Sequence, residues 1–277
     1  MQLRCADKAL SLEPPIVMGI VNVTPDSFSD GGRFLHVDDA VAHALRLVEE
    51  GAAIVDIGGE STRPGAQDVP VEEELRRVVP VVERLAGRTG AVISVDTSKP
   101  EVMKAAAEAG AGLINDVRAL REPGALEAVA GTGCAICLMH MQGEPRSMQA
   151  DPQYRDVVSE VSEFLRERVQ SCRAAGIPDE RIAIDPGFGF GKTVAHNLRL
   201  LQRLGELCDL GQPVLVGLSR KSMLKMLLGR EPDERVHGSV ALAVMAVLNG
   251  ARIVRAHDVA ATVDAIKTVA AVRRASG

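Results

Sequence analysis

Eight short apolar runs recur along this chain, and most of them stop at a polar or charged side chain. Residues 16–21 end at Asn22, 92–95 at Asp96, 113–114 at Asn115 and 182–184 at Asp185. Residues 214–218 end at Ser219, and 253–254 at Arg255, with His257 two positions beyond. The other two runs, 53–57 and 135–139, lead into Gly58-Gly59-Glu60 and His140. Run starts lie about 34 residues apart on average, room for one strand, one helix and two loops. Eight such units predict an α/β chain closed into a parallel (β/α)8 TIM barrel, whose chemistry collects at the C-terminal ends of the strands. An open doubly wound sheet is the alternative, and the even spacing favours closure. A barrel takes about 250 residues, so 277 fit one domain over residues 1–277, with a short lead-in over about 1–15.

Composition removes several function classes. A net charge of −5 with no basic stripe argues against a nucleic-acid partner. No apolar run approaches the roughly 20 residues that span a bilayer. Arg4, Asp7, Lys8 and Glu13 interrupt any signal-peptide pattern, so a cytoplasmic enzyme is expected. Five cysteines, an odd number, speak for reduced thiols rather than a disulfide framework. Cys134 and Cys137 have redox-motif spacing but lie on a strand, where positions three apart face opposite sides.

Between the runs the spacing predicts helices over 38–50, 71–86, 99–109, 124–130, 154–175, 193–208, 221–228, 236–249 and 258–274. In the second of these, Leu75, Val78, Val79, Val82 and Leu85 share the expected core face. On the strands, period two groups Met18, Ile20 and Asn22; Ser94 and Asp96; Leu113 and Asn115; and Ile253, Arg255 and His257. If that shared face is the barrel interior, Asp96, Asn115 and Asp185 converge at the rim. Two carboxylates and an amide make an acceptor-rich pocket suited to a flat heterocycle carrying N–H groups. Asn22, Arg255 and His257 form an anion corner beside it. Asp56 has the parity of Ile54 and Gly58 and reads as a deeper carboxylate outside the site.

Two loops, 22–32 and 58–65, are long, polar and glycine-rich, the composition of lids or clamps on a catalytic face. Phe28 reads as a ligand contact and Arg63 as an anion neutraliser on closure. Gly187-Phe-Gly-Phe-Gly-Lys-Thr193 imitates a phosphate-binding loop, but only three residues separate Gly187 from Gly191 where four are needed. Its glycines read as letting backbone pass close to a flat ligand, with Phe190 against it. Ser219-Arg-Lys-Ser222 reads as the opening of a helix whose N-terminus attracts an anion, with Lys221 able to hydrogen-bond a ring carbonyl or nitrogen.

From about Val17 to the end these residues resemble the dihydropteroate synthase family. Residues 18–32 and 58–65 match its two signatures, and Ser94-Val-Asp-Thr-Ser-Lys99, Ile114-Asn-Asp116, 185–192 and Ser219-Arg-Lys-Ser222 match as well. Arg255-Ala-His257 departs only at its centre, where many relatives have Val. The resemblance implies a barrel that condenses 6-hydroxymethyl-7,8-dihydropterin diphosphate with 4-aminobenzoate to 7,8-dihydropteroate and pyrophosphate. It implies that Asp96, Asn115, Asp185 and Lys221 hold the pterin, with Met139, Phe190, Gly217 and Arg255 shaping its pocket. Asn22, Thr62, Arg255 and His257 match diphosphate positions, and Asn22 matches the residue that touches Mg²⁺. Phe28, Thr62, Arg63, Pro64 and Ser219 are the expected surroundings of aminobenzoate, where sulfonamides compete in relatives. Asp96, Arg63, Lys221 and Arg255 are then the expected catalytic residues. A homodimer through outer helices is also implied, with Ser239–Ala246 as a candidate surface. A related barrel that binds a reduced folate, and a catalytically silent family member, are the competing readings.

Overall fold

The computed structural model describes residues 1–23, 33–61, 68–143 and 148–275. The chain opens with an antiparallel hairpin, β1 (Gln2–Cys5) and β2 (Lys8–Ser11), which the sequence pattern left as a lead-in. Eight parallel strands follow: β3 (Ile16–Asn22), β4 (Ile54–Gly58), β5 (Val92–Asp96), β6 (Leu113–Asp116), β7 (Ala135–Met139), β8 (Ile182–Asp185), β9 (Leu215–Gly217) and β10 (Ile253–Ala256). Their order is β8-β7-β6-β5-β4-β3-β10-β9, and the ring closes where Ile184 N–H donates to the Pro213 carbonyl at 3.0 Å. The expected (β/α)8 barrel is what forms.

Helices separate the strands: α1 (Arg33–Glu49), α2 (Val71–Leu85), α3 (Pro100–Ala109), α4 (Ala125–Ala130), α5 (Val157–Ala174), α6 (Val194–Gln202), α7 (Gly205–Cys208), α8 (Ser222–Leu228), α9 (Val236–Leu248) and α10 (Val259–Ala275). The predicted helix over 193–208 is two pieces. Asn249 Nδ2 donates to the Leu201 carbonyl at 2.7 Å, giving the end of α6 a side-chain partner before Gly205 starts α7. The core face of α2 is turned from the predicted one: Glu74, Val78, Val81, Val82 and Leu85 are buried, whereas Leu75 and Val79 are half-buried. The carboxylate of Glu74 is held inside by Lys99, a contact that apolar periodicity cannot register.

Strand residues alternate between two cores, as the period of two requires. Val17, Val21, Val55, Ile57, Val95 and Ile114 face outward into the helix-packed shell. Met18, Ile54, Val92, Leu113, Ala183, Leu215 and Ile253 fill the barrel floor, where Leu3, Cys5 and Leu12 of the N-terminal hairpin seal it from below. Cys134 belongs to the outer core and Cys137 to the inner one, so their spacing builds no redox pair. With the floor closed by apolar packing, the open mouth at the carboxyl ends of the strands is left for chemistry.

Candidate active site

The residues of strand parity converge at that mouth. Register pairs Asn22 with Gly58, Gly58 with Asp96, and Asp96 with Asn115; further round, Met139 pairs with Asp185 and Gly217 with Arg255. Asp96, Asn115 and Asp185 are buried, while Asn22, Gly217, Lys221, Arg255 and His257 are half-buried. Phe28, Thr62, Arg63 and Pro64 lie outside the described residues.

Arg255 ties the mouth together. Its guanidinium crosses β3, donating from Nε to Asp56 Oδ2 at 2.6 Å and from Nη2 to Asp96 Oδ2 at 2.9 Å. Asp56, read from the sequence as lying outside the site, is its hub. It is 0 % exposed and also accepts from Ser94 Oγ at 2.6 Å and Asn115 Nδ2 at 3.2 Å. Its parity with Ile54 was the signal that could have found it, together with the pairing that sets Asp56 beside Ser94. The two carboxylates hold Arg255 firmly protonated against the cost of its burial.

Charge is unevenly tuned around the ring. Burial pushes the Asp96 carboxyl up to about 7, although Arg255 pulls the other way, and the charges of Asp56 and Asp116 add to the rise. Asp185 is likewise raised by burial, opposed by the Gly187 N–H on Oδ1 at 2.7 Å and by Lys221. Lys221 is lowered to about 8 by burial and by Arg255, and its Nζ lies 4.3 Å from the centre of the Phe190 ring. Phe190 packs with Val117, Met139, Met141 and Met148 as an apolar wall. Of these, Val117, Met141 and Met148 lie beyond the strand-end pattern, and nothing in the sequence sets them apart. Gly217 leaves open space where a side chain would project.

At the opposite side, His257 is lowered to about 3 by burial and by the charges of Arg255 and Arg220, so its imidazole is neutral at pH 7. Ser219 Oγ lies 3.1 Å from His257 Nδ1 and accepts from its backbone N–H at 3.2 Å. The Ser219–Ser222 segment does open a helix, α8, with Lys221 as its N-cap, and the Ser219 hydroxyl in addition serves the histidine. Arg220 turns away to Asp233 and Asp258.

The glycine-rich loop after β8 is also built for a different reason than expected. A Cβ at Gly187 would lie 1.9 Å from the His140 carbonyl oxygen, and one at Gly191 would lie 2.3 Å from that of Gln142. Both residues have positive φ, so these glycines let the loop pack on its neighbour after β7 rather than on a ligand. Gly189 alone faces the site, against the Lys221 side chain. Lys192, the imitation phosphate lysine, is buried and donates to the Gly187 and Phe190 carbonyls at 2.9 and 3.0 Å and lies 2.9 Å from His140 Nδ1. Glu60 too has a task, accepting from Lys99 and from the Val69 N–H and so joining the two stems of the 60–69 loop.

Comparison with known proteins identifies the family. The family model described as "Pterin binding enzyme" matches residues 18–257. Dihydropteroate synthase of Escherichia coli strain K12 is 55% identical over 271 residues, covering 98% of this chain and 96% of the relative. The Xanthomonas albilineans dihydropteroate synthase solved with 4-aminobenzoic acid is 59% identical and superposes with a TM-score of 0.93, covering 98% of both chains. Another structure of the X. albilineans enzyme, in complex with 7,8-dihydropteroate, is 54% identical with a TM-score of 0.88, again covering 98% of both. The chain belongs to the pterin-binding enzymes and, among them, to the dihydropteroate synthases.

Proposed function

We propose that this chain condenses 6-hydroxymethyl-7,8-dihydropterin diphosphate with 4-aminobenzoate, and that its mouth divides the work between a pterin pocket and a diphosphate corner. The observation that carries this division is the single ring of Asp96, Asn115 and Asp185 acceptors interleaved with Arg255 and Lys221. Asp185 and Asn115 accept from ring N–H groups, Lys221 donates to a ring nitrogen or carbonyl, and Met139 and Phe190 close on the ring. Charge-assisted bonds of this kind contribute about 1.5–3 kcal/mol each.

Cleavage of the bond between the pterin methylene and the diphosphate oxygen leaves a cation delocalised into the ring. Asp96 stabilises that charge from the pocket wall, where low polarity strengthens the attraction. Arg255 and His257 stabilise the departing diphosphate. We assign the His257 ring proton to Nε2: the backbone N–H occupies Ser219 Oγ, whose own proton then turns to Nδ1. The neutral ring therefore offers an N–H donor to the anion. The arylamine lone pair forms the new C–N bond, and the ammonium proton passes to solvent. Phe28, Thr62, Arg63, Pro64 and Ser219 are proposed to surround the arylamine and keep water from the cation.

Mg²⁺ is proposed as the metal. Among the described residues no group of three or more His, Cys, Asp or Glu side chains could hold an ion. Asn22 offers one carbonyl oxygen at the mouth, 3.9 Å from where a Cβ on Gly58 would stand. A hard cation held by one protein oxygen fits an ion that takes its other ligands from diphosphate and water. Bound there, it would neutralise charge on the leaving group.

A homodimer is proposed through α8 and α9. Met226, Leu227, Leu228, Met245 and Leu248 are exposed large apolar side chains, whereas Ser239, Leu242, Ala243 and Ala246 of the expected surface are buried within the subunit. Among the described residues no helix is long and apolar enough to cross a membrane. A cytoplasmic location and the absence of nucleic-acid partners remain part of this reading. The deciding assay mixes the protein with the pterin diphosphate, labelled 4-aminobenzoate and Mg²⁺ and looks for dihydropteroate. Product above a no-enzyme control is expected, and none would overturn the proposal.

A further inference from the structure

The middle layer of the barrel holds a carboxyl group where packing alone would favour an apolar side chain. Asp56 lies between Ile20 and Ser94 in register, one residue pair below the rim, with no exposed surface. Its carboxylate receives three donors: Ser94 Oγ on Oδ1, and Arg255 Nε and Asn115 Nδ2 on Oδ2. Two of these donors belong to rim residues, and the bonds decide which of their atoms remain for a ligand. With Nδ2 of Asn115 committed downward, its Oδ1 is the atom left to the pocket. Turning the amide over would set oxygen against oxygen between two buried side chains. Arg255 is held at Nε by Asp56 and at Nη2 by Asp96, which fixes the guanidinium plane and leaves Nη1 for the mouth.

We propose that Asp56 is a positioning residue that, without touching substrate, sets the donor–acceptor pattern of the pocket by orienting Asn115 and Arg255, and so selects a ring edge bearing N–H groups. The inference rests on the pterin reading of the pocket. Asparagine at 56 keeps an acceptor at the Oδ2 position if its amide nitrogen donates to Ser94, whose hydroxyl can turn to accept. Leucine is similar in size and keeps no acceptor. The two substitutions therefore separate orientation from bulk.

The test measures affinity for dihydropterin diphosphate by calorimetry and KM for both substrates. Asp56→Leu should weaken pterin binding tenfold or more while KM for 4-aminobenzoate stays within twofold. Asp56→Asn should restore pterin affinity to within about threefold of wild type. Equal loss for both variants, or equal effects on both substrates, would overturn the proposal. If Asp56→Leu does not fold, the Asn115 side-chain amide of the wild-type protein decides by NMR: slow hydrogen exchange at Nδ2 supports the bond, and rapid exchange refutes it. Asn115→Ala and Asp185→Asn serve as controls. Unchanged pterin affinity in both would defeat the pterin reading itself, whereas loss in both with no effect of Asp56→Leu would defeat only the role of Asp56.

Discussion

Arg255→Met is the perturbation that most directly probes how the mouth is held. Methionine retains the bulk of the side chain but removes its charge and both bonds to Asp56 and Asp96, whose side chains are 0 % and 9 % exposed. Breaking a buried pair by deleting one partner costs about 3–5 kcal/mol, because an uncompensated charge stays behind. Against a total stability of about 5–15 kcal/mol, that loss is large and measurable by urea denaturation. It should also depend on pH with a definite sign. Burial already raises Asp96 to about 7, above its ordinary carboxylate value, so the native state binds a proton that the unfolded chain releases. Ionising Asp96 in the native state therefore costs stability as pH rises from the ordinary value of 3.8 through about 7. Without Arg255, which pulls Asp96 down, the native Asp96 carboxyl is raised further, and the penalty extends to higher pH. The difference between wild type and variant should thus be small near pH 5 and largest near pH 8. A difference below about 1 kcal/mol at pH 8, or one constant from pH 5 to 8, would refute the view that Arg255 neutralises the buried carboxylates.

Three other perturbations test separate parts of the site. Asp185→Asn should weaken pterin affinity roughly ten- to a hundredfold in calorimetry, since a charged acceptor becomes a neutral one; the Gly187 N–H keeps an acceptor, so melting temperature should hardly move. Gly187→Ala should cost at least about 2 kcal/mol of stability, because a left-handed backbone and a 1.9 Å approach to the His140 carbonyl cannot both persist; an unchanged denaturation midpoint would show that the two loops are not packed as described. Met245→Glu sets a charge on the apolar face of α8 and α9; on the proposed dimer, sedimentation should find the parent chain dimeric and the variant monomeric, and a monomeric parent would refute it.

How much of this was legible beforehand follows from what repeats. Runs such as 92–96 announce a strand because every side chain on it is buried, and their even spacing announces closure. Parity along β10 puts Ile253, Arg255 and His257 on one face without any knowledge of the neighbours. The N-terminal hairpin escaped because in β2 Lys8 and Ser11 flank two adjacent apolar residues over only four positions, too short a run and too weak a period to distinguish from a loop. The break between α6 and α7 escaped because its cause, Asn249, belongs to a different helix end 48 residues away.

Local chemistry in the sequence, then, determined the barrel, its polar rim and the sorting of that rim into acceptors and cations. Each depends on period, spacing or residue type within a single segment. Only the tertiary structure decided that Asp56 is the hub beneath Arg255, that Ser219 serves His257, and that the glycines after β8 make room for the preceding loop. Those are pairings between strands as far apart as 199 residues in the chain, and no pattern along one strand records which side chain waits on another. Burial then does the rest: it raises Asp96 and lowers Lys221, a tuning that exists only once the barrel has closed around them.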